Sequence, residues 1–465
     1  MRRTKIVATL GPGTEDPASL RAVVEAGTDV VRLNGAHGTP ATHAVAADGA
    51  RAAATELGRN LGALIDLPGP KLRIGEIPGD EIELEAGAAF ALTSEGEPPS
   101  EPGVNTNVPG LGRFVDVGEA VWLADGEILL EVQKVEGDRL LTEVVRGGVL
   151  RSRKGFALPD SEGVLDPFTP ADREVLDLAC RIGAELVGVS FVATAEDVQR
   201  VRAALDEAPV HPLLVAKVET RRALDHIEEI IAAADAVMVA RGDLGMQIGV
   251  ARTPLAQKEI IGLCNRAGRP VITATQMLES MTRSPLPTRA EASDVANAVL
   301  DGTDALMLSE ETGVGSHPAE AVATMARLAV AAESWHPPPS PTATEDRGDG
   351  PMAAVAHAAV QAVRESGAAA IVCGTATGAT PRRIASLRPD VPIVAVTEVP
   401  GVAARLALVW GVAAVTASGP SHEPRRIVAA ARASGTVRAD ALVVVVAGPP
   451  RDFPGGAGSV HVGPA

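Results

Sequence analysis

Eight times along this chain a short apolar run stops abruptly at a polar residue, at 5–10, 29–34, 62–66, 186–191, 213–219, 236–243, 270–275 and 305–309. Runs that are apolar on both faces belong to strands covered on both sides, as in a parallel sheet lying under helices. Segments of helical period separate most of them, among them 17–26, 170–182, 195–205, 223–233 and 254–267. That alternation is the pattern of βα units, and eight such units close into a (β/α)₈ TIM barrel of the α/β class. The polar ends of the runs then share one rim, the face on which such barrels carry their chemistry.

Collecting those ends gives a ring of Arg32, Asn34, Asp66, Ser190, Lys217, Glu219, Asp243, Thr275 and Glu311. Lysine is scarce, confined to Lys5, Lys71, Lys134, Lys154, Lys217 and Lys258. A lysine kept at the end of a hydrophobic strand in an arginine-rich chain marks a place for a compact point charge. Taken alone, Lys217 beside Glu219 is as compatible with a buried structural ion pair as with a catalytic site. Glu219 and Asp243 end neighbouring runs and offer two hard oxygen donors, enough for a Mg²⁺ that keeps its other positions for water and substrate. Arg241, Gly242, Asp243, Leu244 and Gly245 form a strand-to-helix turn whose amides can receive a carboxylate or phosphate. With Arg32 and Arg73 nearby, the ring suits an anionic substrate bridged by a divalent metal.

The alternation breaks between 66 and 170. There 81–85, 120–124, 126–132 and 139–145 show strand alternation punctuated by turns at 124–126 and 136–138. A small β unit, a β-barrel lid over the active face, is expected at 71–169, with the catalytic barrel at 1–70 and 170–336. The Pro-rich stretch 337–351 reads as a linker, and 352–465 as an open-sheet α/β domain with strands near 369–373, 392–396 and 441–446.

A formal net charge of −17 excludes nucleic acid and anionic membranes as general partners. Cys180, Cys264 and Cys373 are far apart and show neither metal spacing nor a disulfide framework. The longest apolar run, 441–447, is too short to span a bilayer, and the apolar part of the N-terminal segment ends at Gly11; a cytoplasmic protein is expected. His37 and His43 lack a third nearby ligand for a metal site.

Longer motifs are specific enough to carry a resemblance. TKIVATLGP at 4–12, RLN at 32–34 with His37 and Gly38, Asp66 with Gly69, Pro70 and Arg73, and AKVE at 216–219 resemble pyruvate kinase. So do MVARGDLG at 238–245, ITATQMLESM at 272–281, PTRAE at 287–291 and DVANAVLDGTD at 294–304. The motifs run in order along nearly the whole chain. The resemblance implies phosphoryl transfer from phosphoenolpyruvate to ADP, giving pyruvate and ATP, in a homotetramer. It implies Mg²⁺, or Mn²⁺, at Glu219 and Asp243, and a substrate carboxylate held by the Gly242 and Asp243 amides with Thr275. Lys217 would stabilise the phosphoryl in flight and the enolate, Arg32 and Arg73 would clamp phosphate oxygens, and Thr275 would deliver a proton through water. Arg32, Asn34, His37 and Arg73 would border the nucleotide phosphates, with Lys154 closing over them from the lid.

The chain also departs from the pattern. Gly35 and Ala36 replace the family's Phe-Ser, removing a potassium-ligating hydroxyl, and Lys71 falls where potassium-independent members carry lysine. The corner of Asn34, Asp66 and Lys71 is therefore expected to work without K⁺. Ala193, Gln247 and Glu310 also differ, either as drift or as an enlarged or recharged pocket of a specialised paralogue. In the last domain Thr375, Thr377 and Thr380 precede a helix, and the family uses the matching segment for a phosphorylated effector; a plain helix cap is the competing reading. A Mg²⁺-dependent pyruvate-enolate lyase or aldolase would share Glu219 and Asp243 but lacks a lid carrying Lys154.

Overall fold

The structure is a computed structural model that describes residues 2–70, 72–96, 102–159, 168–206, 208, 210–335, 350–418, 423–448 and 458–465. Lys71 and most of the proline-rich linker lie outside the described residues.

Eight parallel strands close into a barrel: Lys5–Thr9, Val30–Asn34, Gly62–Asp66, Leu186–Val189, Leu213–Val218, Ala236–Ala240, Val271–Ala274 and Ala305–Leu308. Closure is made by the first strand, which pairs with the second on one side and the eighth on the other. Every strand is buried on both faces, so the runs look uniformly apolar, but period-2 geometry divides them. Val31, Leu33, Ala63, Ile65, Val187, Val189, Leu214, Ala216 and Val218 pack outward with the helices. Val7, Val30, Leu64, Leu186, Val215, Met238 and Ile272 fill the interior. Two residues further along the interior rows stand Thr9, Arg32, Asp66, Gly188 and Lys217. Strand parity therefore aims the polar ends into the mouth of the barrel.

The helices start where side chains can cap them. Pro17–Ala26 begins at Asp16, Pro40–Glu56 at Thr39, Pro170–Arg181 at Thr169 and Arg289–Asp301 at Thr288, each side-chain oxygen accepting an otherwise unpaired N–H. The helical stretch near 223–233 is two helices, Arg221–Asp225 and Ile227–Ala233, meeting at His226.

Between the third and fourth barrel strands the insertion is all-β. A six-stranded sheet and the two-stranded ribbon of Glu81–Leu84 with Gly148–Arg151 share one apolar core that includes Leu84, Leu92, Val121, Leu130, Leu140 and Leu150. Its turn Ala124–Gly126 packs on the helix Arg241–Ile248 at the barrel rim. The strands Ala89–Thr93, Gly103–Asn105, Gly148–Arg151 and Phe156–Ala157 go beyond those expected from the sequence.

The C-terminal unit is an open five-stranded sheet in the order Val412–Thr416, Ile393–Thr397, Ala370–Gly374, Leu442–Ala447, Ser459–Pro464, with only the last pairing antiparallel. It seals the opposite end of the barrel. Ala407 and Leu408 join the interior core beneath the strand starts. Beside them Arg388 meets Asp304 with both terminal nitrogens, at 3.0 and 3.1 Å, and its guanidinium carbon stands 4.9 Å from the Trp410 ring centre.

Candidate active site

At the rim, five strand ends are tied into one hydrogen-bonded, charged chain. Arg32 donates from Nε to Asp66 Oδ2 at 2.9 Å and from Nη1 to Thr9 Oγ1 at 3.1 Å. Lys217 Nζ lies 3.4 Å from the same Asp66 oxygen and 2.9 Å from Glu219 Oε1, and donates to Ser190 Oγ at 2.7 Å. Ser190 Oγ in turn donates a hydrogen bond to the Leu67 carbonyl at 2.8 Å. Glu219 Oε2 accepts the Phe191 N–H at 2.6 Å.

The charges are buried, so their balance matters. Burial alone would lower the Lys217 pKa, but Glu219 and Asp66 more than offset it and the ammonium is held above its ordinary range. Burial pushes Asp66 up, while Arg32 and Lys217 pull it below the usual carboxylate range. Glu219 moves the other way: burial raises it, Lys217 only partly offsets that, and the neighbouring Asp243 carboxylate raises it further. Glu219 and Asp243 thus carry more negative charge than Lys217 balances, and a hard divalent cation fits that donor pair. Among the described residues no group of three or more His, Cys, Asp or Glu is gathered to hold a metal by protein ligands alone. The donor set therefore suits a metal whose remaining ligands come from substrate and water.

Asp243 sits in the first turn of the helix Arg241–Ile248. Arg241 anchors this helix, donating to Asp294 at 2.7 Å and to the Thr275 carbonyl at 2.6 Å. Thr275 has a left-handed φ of 66°, unusual for a β-branched residue, and Gln276 follows at 53°. That backbone brings the Thr275 hydroxyl within 2.8 Å of the Gly242 N–H, which it accepts, while it donates to the Ala274 carbonyl at 2.6 Å. Local strain of this kind collects where geometry serves a site.

The remaining expected residues are placed differently. Asn34 turns back on its own loop, its Oδ1 accepting the Ala36 N–H at 3.2 Å, and the exposed His37 offers its carbonyl to His43 Nε2 at 2.8 Å. Arg73 and Lys154 belong to the inserted unit, side by side there: Arg73 Nη1 donates to the Arg153 carbonyl and the Ile74 N–H to the Lys154 carbonyl. Glu311 supports loops by accepting the Leu278 and Ser309 N–H groups at 3.0 and 2.7 Å. Thr375 and Thr377, in the loop after the strand Ala370–Gly374, use their hydroxyls on the N–H groups of Gly378 and Ala379, and Thr380, on the helix Ala379–Ala385, donates to Met352 Sδ of the helix Pro351–Ser366 at 3.8 Å.

Gly35 does not open a pocket. A Cβ there would stand 2.3 Å from the Asp66 carbonyl oxygen and 2.8 Å from Val175 Cγ1, so the space is already filled. Gly188 serves the ring in the same way, since a Cβ would lie 2.2 Å from Asp66 Oδ1. Neither Gly188 nor Thr9 stands out in the sequence, although both obey the parity that places Asp66 and Arg32. A cleft of about 850 Å³ flanks the rim between Trp122 and Arg146 of the inserted unit and Arg241, Lys258 and Asp301 of the barrel. Within it Arg241 pairs with Asp294 and Lys258 with Asp301.

A model of the pyruvate kinase barrel domain matches residues 1–322, and one of the pyruvate kinase alpha/beta domain matches residues 353–462. The chain belongs to the pyruvate kinase family. It is 40% identical to a pyruvate kinase of Geobacillus stearothermophilus over 97% of this chain and 78% of that one. A pyruvate kinase of Mycobacterium intracellulare is 39% identical over 99% of this chain and 98% of its own. The crystal structure of a pyruvate kinase from Cryptosporidium parvum superposes with a TM-score of 0.91 at 31% identity, over 100% of this chain and 96% of that one. The enzyme is thus a phosphotransferase of the pyruvate kinase type, and phosphoenolpyruvate, ADP and a divalent metal are the substrates and cofactor its family implies. No described helix is long and apolar enough to cross a membrane.

Proposed function

We propose that the Lys217 ring performs Mg²⁺-dependent phosphoryl transfer from phosphoenolpyruvate to ADP without a requirement for K⁺. The observation that carries the reading is the Lys217 ammonium, kept charged between Asp66 and Glu219 at the barrel mouth. In the transfer, the bond between phosphorus and the enol oxygen breaks, a bond to the ADP β-phosphate oxygen forms, and the enolate takes a proton at its methylene carbon. Glu219 and Asp243 would hold a Mg²⁺, or a Mn²⁺ in its place, and the ion would supply positive charge to the substrate oxygens. Lys217 faces the same oxygens as a point charge, suited to a loose anionic transition state. Arg32, oriented by Asp66 and Thr9, clamps phosphate oxygens, and Arg73 and Lys154 approach them from the inserted unit as it closes, with Asn34 and His37 bordering the nucleotide. An incoming carboxylate replaces the Thr275 hydroxyl on the Gly242 N–H, which frees that hydroxyl to relay a proton through water to the enolate.

What supports independence from K⁺ is the sequence at this corner, where Ala36 replaces the family's potassium-ligating serine beside Asn34, Asp66 and Lys71. In this reading the Lys71 ammonium supplies the charge a monovalent cation would bring. The same reading takes 71–169 as a lid, 337–351 as a linker and 352–465 as the unit for assembly into a cytoplasmic homotetramer. It also takes the Thr375, Thr377 and Thr380 loop as the place for a phosphorylated effector. A coupled assay of pyruvate from phosphoenolpyruvate and ADP tests the activity. Strong activation by K⁺ in a buffer otherwise free of monovalent metal would overturn the role given to Lys71.

A further inference from the structure

The inserted unit leaves the barrel after Asp66 and returns at Thr169, and one carboxylate touches both crossings. Asp172 is wholly buried. Its Oδ1 accepts the Gly69 N–H at 2.7 Å on the outgoing segment. Its Oδ2 accepts the Thr169 N–H at 2.7 Å and the Thr169 hydroxyl at 2.6 Å on the returning one. Helix capping accounts for only half of this. Thr169 and Asp172 do form a reciprocal capping box for the helix Pro170–Arg181, but Gly69 lies 103 residues away and has no part in it.

Each crossing is fixed to the ring as well as to Asp172. Gly69 has a φ of +64°, and a Cβ there would come within 2.8 Å of both Ser190 Cβ and Phe191 Cδ2, so the outgoing chain lies directly against the fourth strand's end. Leu67 donates its N–H to the Gly188 carbonyl at 2.8 Å and receives the Ser190 hydroxyl, the same hydroxyl that holds Lys217. The returning helix presses Val175 against Gly35, where a Cβ would come within 2.8 Å of it.

We infer that Asp172 is a positioning residue that clasps the two crossings of the inserted unit and sets the angle at which that unit meets the rim. The inference rests on the proposed reading of the unit as a lid. Two carboxylate oxygens are needed because each serves a different crossing. An amide keeps one acceptor and turns an NH₂ group toward an N–H donor, so Asp172→Asn releases one side while retaining volume.

The test uses the full chain with spin labels on Glu143→Cys in the inserted unit and Glu259→Cys on the barrel helix Thr253–Ala267, both exposed, in a Cys180→Ser background. Cys264 and Cys373 are buried. With phosphoenolpyruvate, ADP and Mg²⁺ present, Asp172→Asn is expected to broaden or shift the interlabel distance. It should also lower kcat about tenfold, by misplacing groups that must meet the nucleotide. The KM for phosphoenolpyruvate should change less than kcat, because Arg32, Lys217, Gly242 and Thr275 hold that substrate from the barrel and only Arg73 reaches it from the inserted unit. Thr169→Val, which removes the hydroxyl's bond to Oδ2 and the helix cap it accepts from the Asp172 N–H but leaves the carboxylate's backbone bonds to Gly69 and Thr169, should move the distance in the same direction by less, and it carries the test if Asp172→Asn does not fold. Unchanged distances with only a lower Tm would reduce Asp172 to a helix cap and overturn the inference, whatever the turnover. A wild-type chain that forms no pyruvate would defeat the kinase reading, while the distances would still decide the clasp.

Discussion

The two mouths of the barrel carry the same kind of group and treat it in opposite ways. On the floor, Asp304 has both oxygens occupied: Oδ1 takes Arg388 and the Trp410 N–H, and Oδ2 takes Arg388 and the Val271 N–H. Arg388 also donates to Asn265 and to the Gly302 carbonyl, each at 2.6 Å. At the rim, Asp66 loads Arg32 and Lys217 on one oxygen and leaves the other without a partner among the described residues. Occupying both oxygens of the buried carboxylate fixes one domain on another. Leaving acceptors and charge unbalanced keeps a place for a ligand that brings its own.

The largest expected effect separates the two ends outright. Lys217→Met should lower kcat by about a thousandfold or more, as loss of a preorganised charge at a phosphoryl-transfer site does. The fold is expected to survive at lower stability, since Asp66 keeps Arg32 and Glu219 keeps the Phe191 N–H, and turnover near wild type would remove Lys217 from catalysis. Arg388→Met should do the reverse. Leaving Asp304 buried and unpaired costs about 3–5 kcal/mol of stability, read by denaturant unfolding, while kcat of the folded enzyme stays near wild type. A large loss of kcat at unchanged stability would break the comparison.

Gly188→Ala sharpens it at smaller scale. The added methyl meets Asp66 Oδ1, so overpacking of about 1–3 kcal/mol is expected, together with a fall in kcat as Arg32 and Lys217 lose their shared partner. Intact kcat would show that Asp66 can move without consequence.

The smallest effect is a difference in sign with pH. Lys5, on the floor, is buried with its Nζ on the Val412 carbonyl; burial lowers its pKa and Asp29 recovers only part. The folded chain therefore sheds that proton more easily than the unfolded chain. Stability relative to Lys5→Met should rise with pH below the ordinary lysine value of about 10.4. Lys217 is shifted upward, so its contribution is complete below that value and is lost as pH rises through its folded pKa. Unfolding free energies of the two variants against wild type across alkaline pH check both slopes, and parallel slopes would contradict the contrast.

Much of the rim was legible before any fold was known, because one rule places it: polar residues closing apolar runs share a mouth, and alternate positions face inward. Arg32, Asp66, Lys217 and Glu219 follow that rule. Thr9 and Gly188 obey it too, but a threonine and a glycine in apolar runs carry no distinctive signal. The floor was not legible. Arg388 and Asp304 lie 84 residues apart in different units, and nothing local in either segment announces the other. Asp172 shows the same division in one side chain, since its cap on Thr169 is a local motif and its bond to Gly69 is not.

The sequence by itself therefore determined the barrel, the all-β insertion, the C-terminal sheet and the family, because periodicity, strand parity and long motifs are written over neighbouring residues. Only the tertiary structure decided which charges are closed and which are left open, how the insertion is pinned at its two crossings, and that Gly35 makes room for Val175. Those outcomes depend on contacts between residues far apart in the chain, whose distances and burial are set when the elements pack.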